Sequence, residues 1–124
     1  MKLRGHHLIC LNFLKEAFNP EFTAALKELR ERALGGEEIK VIEGLDDLCA
    51  RCPMLAGDAC AYEDEVREMD VEALEALGLE VGARVRMAEV REKLKGLADW
   101  LAGFCEGCEF KEACGPEKEK FLAG

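Results

Sequence analysis

Six of the seven cysteines in this 124-residue chain fall into two triads with the spacing of metal ligands. Each triad is a CxxC pair followed by a third cysteine: the first comprises Cys49, Cys52 and Cys60, and the second Cys105, Cys108 and Cys114. A two-residue spacer lets both sulfurs of a CxxC pair turn back onto one ion, and the third cysteine can reach the same centre. The pattern predicts metal or iron–sulfur chemistry without naming the metal.

The two histidines of the chain, His6 and His7, lie close to the seventh cysteine, Cys10. On a helix, His6 and Cys10 are four residues apart and His7 and Cys10 are three apart, so either pair lies on one face. Two four-ligand centres need eight ligands, and the two triads supply six. Cys10 and one histidine are therefore candidates to complete the set.

Three other interpretations of these residues stay open. Cys10 lies in an apolar stripe and could be a buried thiol, and the histidines could simply bond backbone carbonyls. A thiolate nucleophile at Cys10, next to His6 or His7, would make the protein a thiol enzyme. Disulfides are the third interpretation, although they are rare in cytoplasmic proteins outside hyperthermophiles.

Gathered thiolates carry negative charge, and burying that charge requires partners. Arg51, inside the first CxxC pair, and Lys111, in the second loop, are the candidates to offset it. The neighbouring acidic residues are expected to point to solvent, and these are Asp46, Asp47, Glu106, Glu109 and Glu112.

The overall composition describes a globular, acidic protein. Its net charge is −9 and its pI about 4.8. A protein that binds nucleic acid through phosphates needs a basic face, and no such face stands out in this sequence, which counts against nucleic-acid binding. No stretch approaches the roughly 20 apolar residues of a membrane span, and no signal peptide is recognisable. We therefore expect a cytoplasmic chain that binds neither nucleic acid nor membranes. Serine and glutamine are absent and threonine occurs once, a composition typical of thermophilic proteins.

Hydrophobic periodicity predicts a mainly α fold. A helix over 5–18 and a second over 20–34 are expected to form an antiparallel hairpin, separated by Asn19-Pro20. Helices are also predicted over 63–68, over 71–77 with Asp70 as N-cap, from Met87 onward with a weak point at Gly96, and over 116–122.

The strand signals are weak by comparison. Ile39–Ile42 alternates and is β-branched, and Arg84–Arg86 is a second short extended candidate. We predict one irregular domain over 1–124, mainly α with one or two very short strands. Two cysteine-rich loops, 46–60 and 105–114, would flank the central helices at 63–104 and hold the domain together.

The motifs taken together resemble a known family. They are Arg4-Gly5-His6-His7-Leu8-x-Cys10, Asn19-Pro20-Glu21-Phe22, Asp46-Asp47-x-Cys49-x-x-Cys52-Pro53, Cys60, Cys105-x-x-Cys108 and Cys114-Gly115. This combination resembles the domain-of-unknown-function 1284 family, a group of short bacterial and archaeal proteins described as candidates for iron–sulfur binding. The chain departs from the family pattern at Phe110, where tryptophan is expected.

We favour an iron–sulfur protein with one or two clusters, acting in electron transfer, redox sensing or structural support. A redox or other protein partner would follow from that role. The main alternative is a structural zinc module that mediates interactions. The sequence predicts a binding protein rather than an enzyme, with the thiol enzyme as the remaining alternative.

Overall fold

The computed structural model describes residues 1–15, 19–53, 55–56, 59–104 and 111–123, with backbone alone at 55–56, 59–60 and 111–113. The elements follow the order β1 (Lys2–Arg4), α1 (Gly5–Cys10), α2 (Pro20–Leu34), β2 (Ile39–Ile42), a 3₁₀ turn (Cys49–Arg51), β3 (Leu55–Ala56), β4 (Ala59–Cys60), α3 (Glu63–Leu77), β5 (Arg84–Val85), α4 (Met87–Lys95), α5 (Ala98–Phe104) and α6 (Lys111–Ala123). The mainly α single domain that the sequence predicts is confirmed.

Two small sheets accompany the helices. In the larger one, β2 lies in the middle, parallel to β1 and antiparallel to β5. The strand predicted at Ile39–Ile42 is confirmed, and the one predicted over Arg84–Arg86 is found at Arg84–Val85, whereas β1 is an addition. In the smaller sheet, β3 and β4 form a hairpin that pairs the backbone of Leu55 with that of Cys60. This hairpin lies within the first cysteine loop.

Helix α1 packs chiefly against α3, and this contact is unusually close. A Cβ atom added at Gly5 would lie 2.4 Å from the carbonyl oxygen of Asp70 in α3. Only glycine allows the two backbones to approach to this distance. The predicted hairpin of the first two helices is therefore not the main packing of α1.

Replacing Gly5 with alanine should destabilise the fold, because the new methyl group meets backbone that cannot move aside easily. We expect a loss of about 1–3 kcal/mol in the free energy of unfolding, the usual cost of overpacking. Gly103→Ala is the matched control, since nothing lies within 4 Å of its added Cβ. That change should stabilise α5 by up to about 1 kcal/mol. Urea unfolding of both variants tests this, and a Gly5→Ala protein as stable as the wild type would contradict it.

Helix α1 ends at Cys10, earlier than predicted, because side chains donate hydrogen bonds to carbonyl groups at its end and just beyond it. Asn12 Nδ2 donates to the carbonyl of Leu8 at 2.8 Å, and Arg30 Nε donates to that of Leu11 at 2.9 Å. Arg30 also donates to the carbonyl of Leu14. These bonds replace the helical ladder, so the chain turns instead of continuing to residue 18.

The later helices match the pattern in one case and differ in two. Gly96 does divide the helix that begins at Met87, and α5 starts at Ala98. By contrast, α3 runs unbroken through Asp70, which is 7% exposed and buried within the helix rather than capping a new one. Helix α6 begins at Lys111 and carries Pro116 inside it.

The core is formed by the apolar faces of α1 to α4, the inner side of the three-stranded sheet and the final helices. Phe13, just beyond α1, meets Phe121 of α6 edge to face at 5.5 Å between ring centroids. Lys15 and Glu117 add an ion pair at 2.9 Å. Within the described part of the chain, no helix combines the length and the apolar character that crossing a bilayer requires.

Candidate metal centre

The start of α1 and the first cysteine loop meet along β1. The backbone N–H of Lys2 donates to Asp47 Oδ2 at 2.8 Å, and the N–H of Asp47 donates back to the Lys2 carbonyl at 3.2 Å. The N–H of Arg4 donates to Asp46 Oδ2, also at 2.8 Å. These bonds fix the chain just before Cys49 against the chain just before the histidines.

The carboxylate of Asp46 accepts four hydrogen bonds at this junction. The prediction that Asp46 points to solvent is therefore wrong. It is only 5% exposed. Its Oδ1 accepts the backbone N–H groups of Leu48 and Cys49 at 3.0 and 2.9 Å. Its Oδ2 accepts from the backbone of Arg4 and from His7 Nδ1, the latter at 2.6 Å. Four donors use the acceptor sites that a carboxylate offers, so Asp46 is better suited to orient ligands than to be one.

The electrostatics of Asp46 determine the tautomer of His7. Burial by itself would raise the pKa of Asp46, but His7 and the N–H groups of Arg4 and Cys49 hold that pKa well below its usual range. An ionised carboxylate only accepts, so His7 Nδ1 must carry the proton. In the neutral imidazole, Nε2 then keeps the lone pair that can bind a metal, which is the arrangement that carboxylates impose on metal-binding histidines.

The Cys49 sulfur lies beside this oriented histidine. Among the residues whose side chains are described, His7, Asp46 and Cys49 form a group whose candidate ligand atoms all lie within 4.8 Å of one another. Burial, followed by the charge of Asp46, raises the pKa of the Cys49 thiol to about 12. At neutral pH this sulfur is a protonated thiol, unsuited to act as a nucleophile, and a bound metal would displace the proton.

Arg4 supplies the cation of the site, a role the sequence-based prediction gave to Arg51. Arg4 is 0% exposed, and its Nη1 donates to the Cys49 sulfur at 3.6 Å. Its other contacts are with the α3 carboxylates of Glu63 and Asp70. Arg51 instead pairs with Glu28 on the surface. The other predicted cation, Lys111, has a side chain outside the described part of the structure.

His6 makes a second carboxylate–imidazole pair next to the first. Its Nδ1 lies 2.6 Å from Asp70 Oδ1, and its ring centroid lies 4.2 Å from that of His7. Burial, aided by His7, lowers the pKa of His6 to about 4 although Asp70 opposes the shift. His6 is therefore neutral near pH 7 and donates its Nδ1 proton to Asp70. Each imidazole of the pair is held by its own carboxylate.

The remaining predicted ligands are distributed around the fold. Cys52 is half-buried directly after the 3₁₀ turn, and the β3–β4 hairpin returns the backbone of Cys60 towards it. Cys10 is half-buried at the end of α1, and Cys114 is 6% exposed in the core on α6. Cys10, Cys49, Cys52 and Cys114 carry thiols. The Cys60 side chain and all of Cys105 and Cys108 lie outside the described residues.

The sequence also predicts that the other acidic side chains of the two loops point to solvent. Asp47 is half-exposed and binds the backbone of Lys2, so that expectation holds for it only in part. Glu106 and Glu109, and the side chain of Glu112, lie outside the described residues.

The fold and this junction define a class: a small, mainly α protein with a candidate histidine–aspartate–cysteine metal-binding group. Comparison with known families then places the chain among its relatives. It belongs to the family described as "Protein of unknown function (DUF1284)", whose model matches residues 17–114. The matched range contains both cysteine triads, whereas His6, His7 and Cys10 precede it. No curated protein and no solved structure matches the chain.

Proposed function

We propose that this protein binds metal through a centre formed by the first cysteine loop and His7. The observation that carries the proposal is the Asp46 carboxylate, which binds His7 Nδ1 and the Cys49 backbone at once. It thereby holds an imidazole and a thiol within reach of one ion. Cys52 and Cys60 are the proposed further ligands, because they share the loop and complete a set of three thiolates and one imidazole.

An iron–sulfur cluster is the occupant that we propose first. Six cysteines in two triads supply the thiolates that such clusters require. In this proposal Cys105, Cys108 and Cys114 serve a second centre, with Cys10 as a further candidate. A cluster would give the protein an electron-transfer or redox-sensing role with a protein partner, and the net charge of −9 favours a basic one. We propose a cytoplasmic location, where thiols stay reduced.

Structural zinc is the second candidate, and the carboxylate-oriented histidine favours it. Three thiolates and one imidazole form a common closed zinc site, and His7 has the outer carboxylate partner that zinc-bound histidines usually have. In that case the metal would contribute folding energy directly and the protein would be redox-silent. The thiol enzyme based on Cys10 and a histidine stays a prediction.

The charges around Cys49 are compatible with either metal. Arg4 and Arg67 pair with the carboxylates of Glu63, Asp70 and Glu43, and Asp46 adds a fourth carboxylate that binds the backbone of Arg4. Four carboxylates thus face two guanidinium groups before any thiol ionises, and this excess of negative charge would favour a bound cation.

Metal and sulfide analysis of protein purified without oxygen tests the proposal. Brown protein with iron and acid-labile sulfide would support the cluster, and the stoichiometry would give the number of centres. Colourless protein with stoichiometric zinc would support the structural module. Metal-free protein that takes up neither iron nor zinc would contradict the proposed function.

Replacing His7 and, separately, His6 with asparagine distinguishes the roles of the two histidines. The asparagine amide matches the Nδ1 donor of histidine, so His7→Asn keeps the bond to Asp46 while removing Nε2. His6→Asn does the same beside Asp70 and is the matched control. We expect His7→Asn to lower the metal affinity by more than the roughly 10–100-fold typical of outer-shell changes, and His6→Asn to leave it near the wild-type value. Competition with a chelator gives both affinities, and equal losses would contradict the assignment of His7.

A further inference from the structure

The buried guanidinium of Arg4 lies directly behind the Cys49 sulfur, and its geometry points to a role in holding the metal. We propose that Arg4 is a positioning residue of the centre, which donates a hydrogen bond to the Cys49 thiolate and thereby raises the affinity for metal. This inference rests on the proposed function and adds to it a residue that no ligand motif would reveal.

The guanidinium is held in place by the carboxylates of Asp70 and Glu63. Its Nε donates to Asp70 Oδ2 at 2.7 Å, and its Nη2 donates to Glu63 Oε2 at 2.6 Å. Its Nη1 is shared between Glu63 Oε1 at 3.3 Å and the Cys49 sulfur at 3.6 Å. The guanidinium group of arginine stays protonated in proteins, so the positive charge of Arg4 is permanent.

The anchoring residues are themselves fixed. Glu63 is bound a second time by Arg67 Nε at 2.9 Å, and Asp70 is bound by both the backbone and the ring of His6. The side chain of Arg4 is 0% exposed, so water does not compete for its donors. The donor aimed at the sulfur is therefore in position before any metal arrives, and no reorganisation is needed.

A positive donor at this place discriminates between the two states of Cys49. The protonated thiol is neutral and accepts only a weak bond, whereas a metal-bound thiolate is negative and accepts a charge-assisted one. Arg4 thus stabilises the loaded state more than the empty state, which is what raises affinity. The hydrogen bond from Arg4 also draws electron density away from the Cys49 sulfur.

Cobalt(II) is the probe that tests this inference, because its bond to a thiolate gives a sulfur-to-metal charge-transfer band in the near ultraviolet. Metal-free wild-type and Arg4→Met proteins would be titrated with Co²⁺ without oxygen. We expect Arg4→Met to bind Co²⁺ roughly 10–100-fold more weakly, the usual cost of losing an outer-shell partner. We also expect the band to move to longer wavelength, since a sulfur without its donor gives up electrons more easily.

Arg67→Met is the matched control. Arg67 donates to the same Glu63 and to Glu43 and is half-exposed, whereas the donor to the Cys49 sulfur is Arg4. Without Arg67, Arg4 still binds Asp70 and Glu63, so the band should stay at the wild-type wavelength and the Co²⁺ affinity should fall much less than in Arg4→Met. A purely structural effect of removing an arginine from this cluster would appear in both variants.

The Arg4→Met protein could fail to fold, because the Asp70 carboxylate would lose its cation in a buried site. The double variant Arg4→Met/Asp70→Asn removes that charge and is compared with Asp70→Asn alone. The same loss of affinity and the same band shift are expected between these two proteins.

Each outcome of the titration is decisive. A weaker, red-shifted complex in the variants that lack Arg4, with the Arg67→Met band at the wild-type wavelength, supports the inference. A wild-type band that is unchanged when Arg4 is removed overturns the inference and leaves the proposed function standing. A wild-type protein that shows no sulfur-to-cobalt band and takes up neither iron nor zinc overturns both.

Discussion

Replacing Cys49 with alanine should abolish metal binding at the first centre and leave the second centre loaded. Cys49 is the thiol that the structure brings together with His7, and among the described residues it is the sulfur of that group. Loss of this thiolate removes one of the proposed ligands and leaves an opened coordination site. The number of metal ions per chain, measured on protein purified without oxygen, should therefore fall by the number that one centre holds.

Cys114→Ala is the matched control, because both thiols are 6% exposed and each belongs to a different triad. Cys49 lies beside Arg4 and His7, whereas Cys114 lies on α6 among core side chains that include Phe121. We expect each variant to lose a different centre and the double variant to lose both. If either single change removes all metal, the two triads share one centre; if neither changes the metal content, the assignment of both is wrong.

Replacing Asp46 with alanine should strongly destabilise the protein. Its loss leaves the backbone N–H groups of Arg4, Leu48 and Cys49 without an acceptor, and releases His7. Leaving buried donors unsatisfied and removing a buried charged partner cost about 3–5 kcal/mol in the free energy of unfolding. Metal affinity should fall as well, because nothing would fix the His7 tautomer.

The neighbouring carboxylate provides the control for this prediction. Asp47 is half-exposed and its carboxylate accepts from the backbone of Lys2, so Asp47→Ala should cost about 1 kcal/mol, the value of an ordinary hydrogen bond. Urea unfolding of the two metal-free variants gives the comparison. Equal losses at the two positions would show that the Asp46 contacts do not hold the junction together.

Local signals were sufficient for most of the fold. The apolar spacing from Met87 and the low helix propensity of Gly96 predict both α4 and its end. Asn19 and Pro20 predict the start of α2, where the Asn19 side chain accepts the N–H of Phe22 at 2.8 Å. In these places the cause of the structure lies within a few residues, so the sequence pattern is enough.

The predictions of helix ends are wrong where contacts with residues distant in sequence set those ends. The apolar stripe of α1 continues past Cys10, but Arg30 in α2 captures the carbonyls of Leu11 and Leu14. Asp70 was predicted to be a cap because aspartate favours helix starts, yet Arg4 and His6 satisfy its charge inside α3. No local rule reports an arginine that lies 66 residues away in sequence.

The candidate site was predictable only in part. The cysteine spacing and the proximity of His7 to a thiol in sequence pointed to two of the segments that meet at the Asp46 junction, those of His7 and of Cys49. Asp46 carried one usable signal: an aspartate whose side chain binds N–H groups two and three residues ahead forms a typical turn, here around Leu48 and Cys49. No sequence signal identified Arg4 as part of the site, because a basic residue in a short strand is usually exposed.

X-ray absorption at the edge of the bound metal, measured on protein purified without oxygen, tests the central claim most directly. We expect a first shell with both sulfur and nitrogen, together with the outer-shell scattering of one imidazole ring that disappears in His7→Asn and persists in His6→Asn. A first shell of sulfur alone, unchanged in His7→Asn, would contradict the claim that His7 and Cys49 hold the same metal.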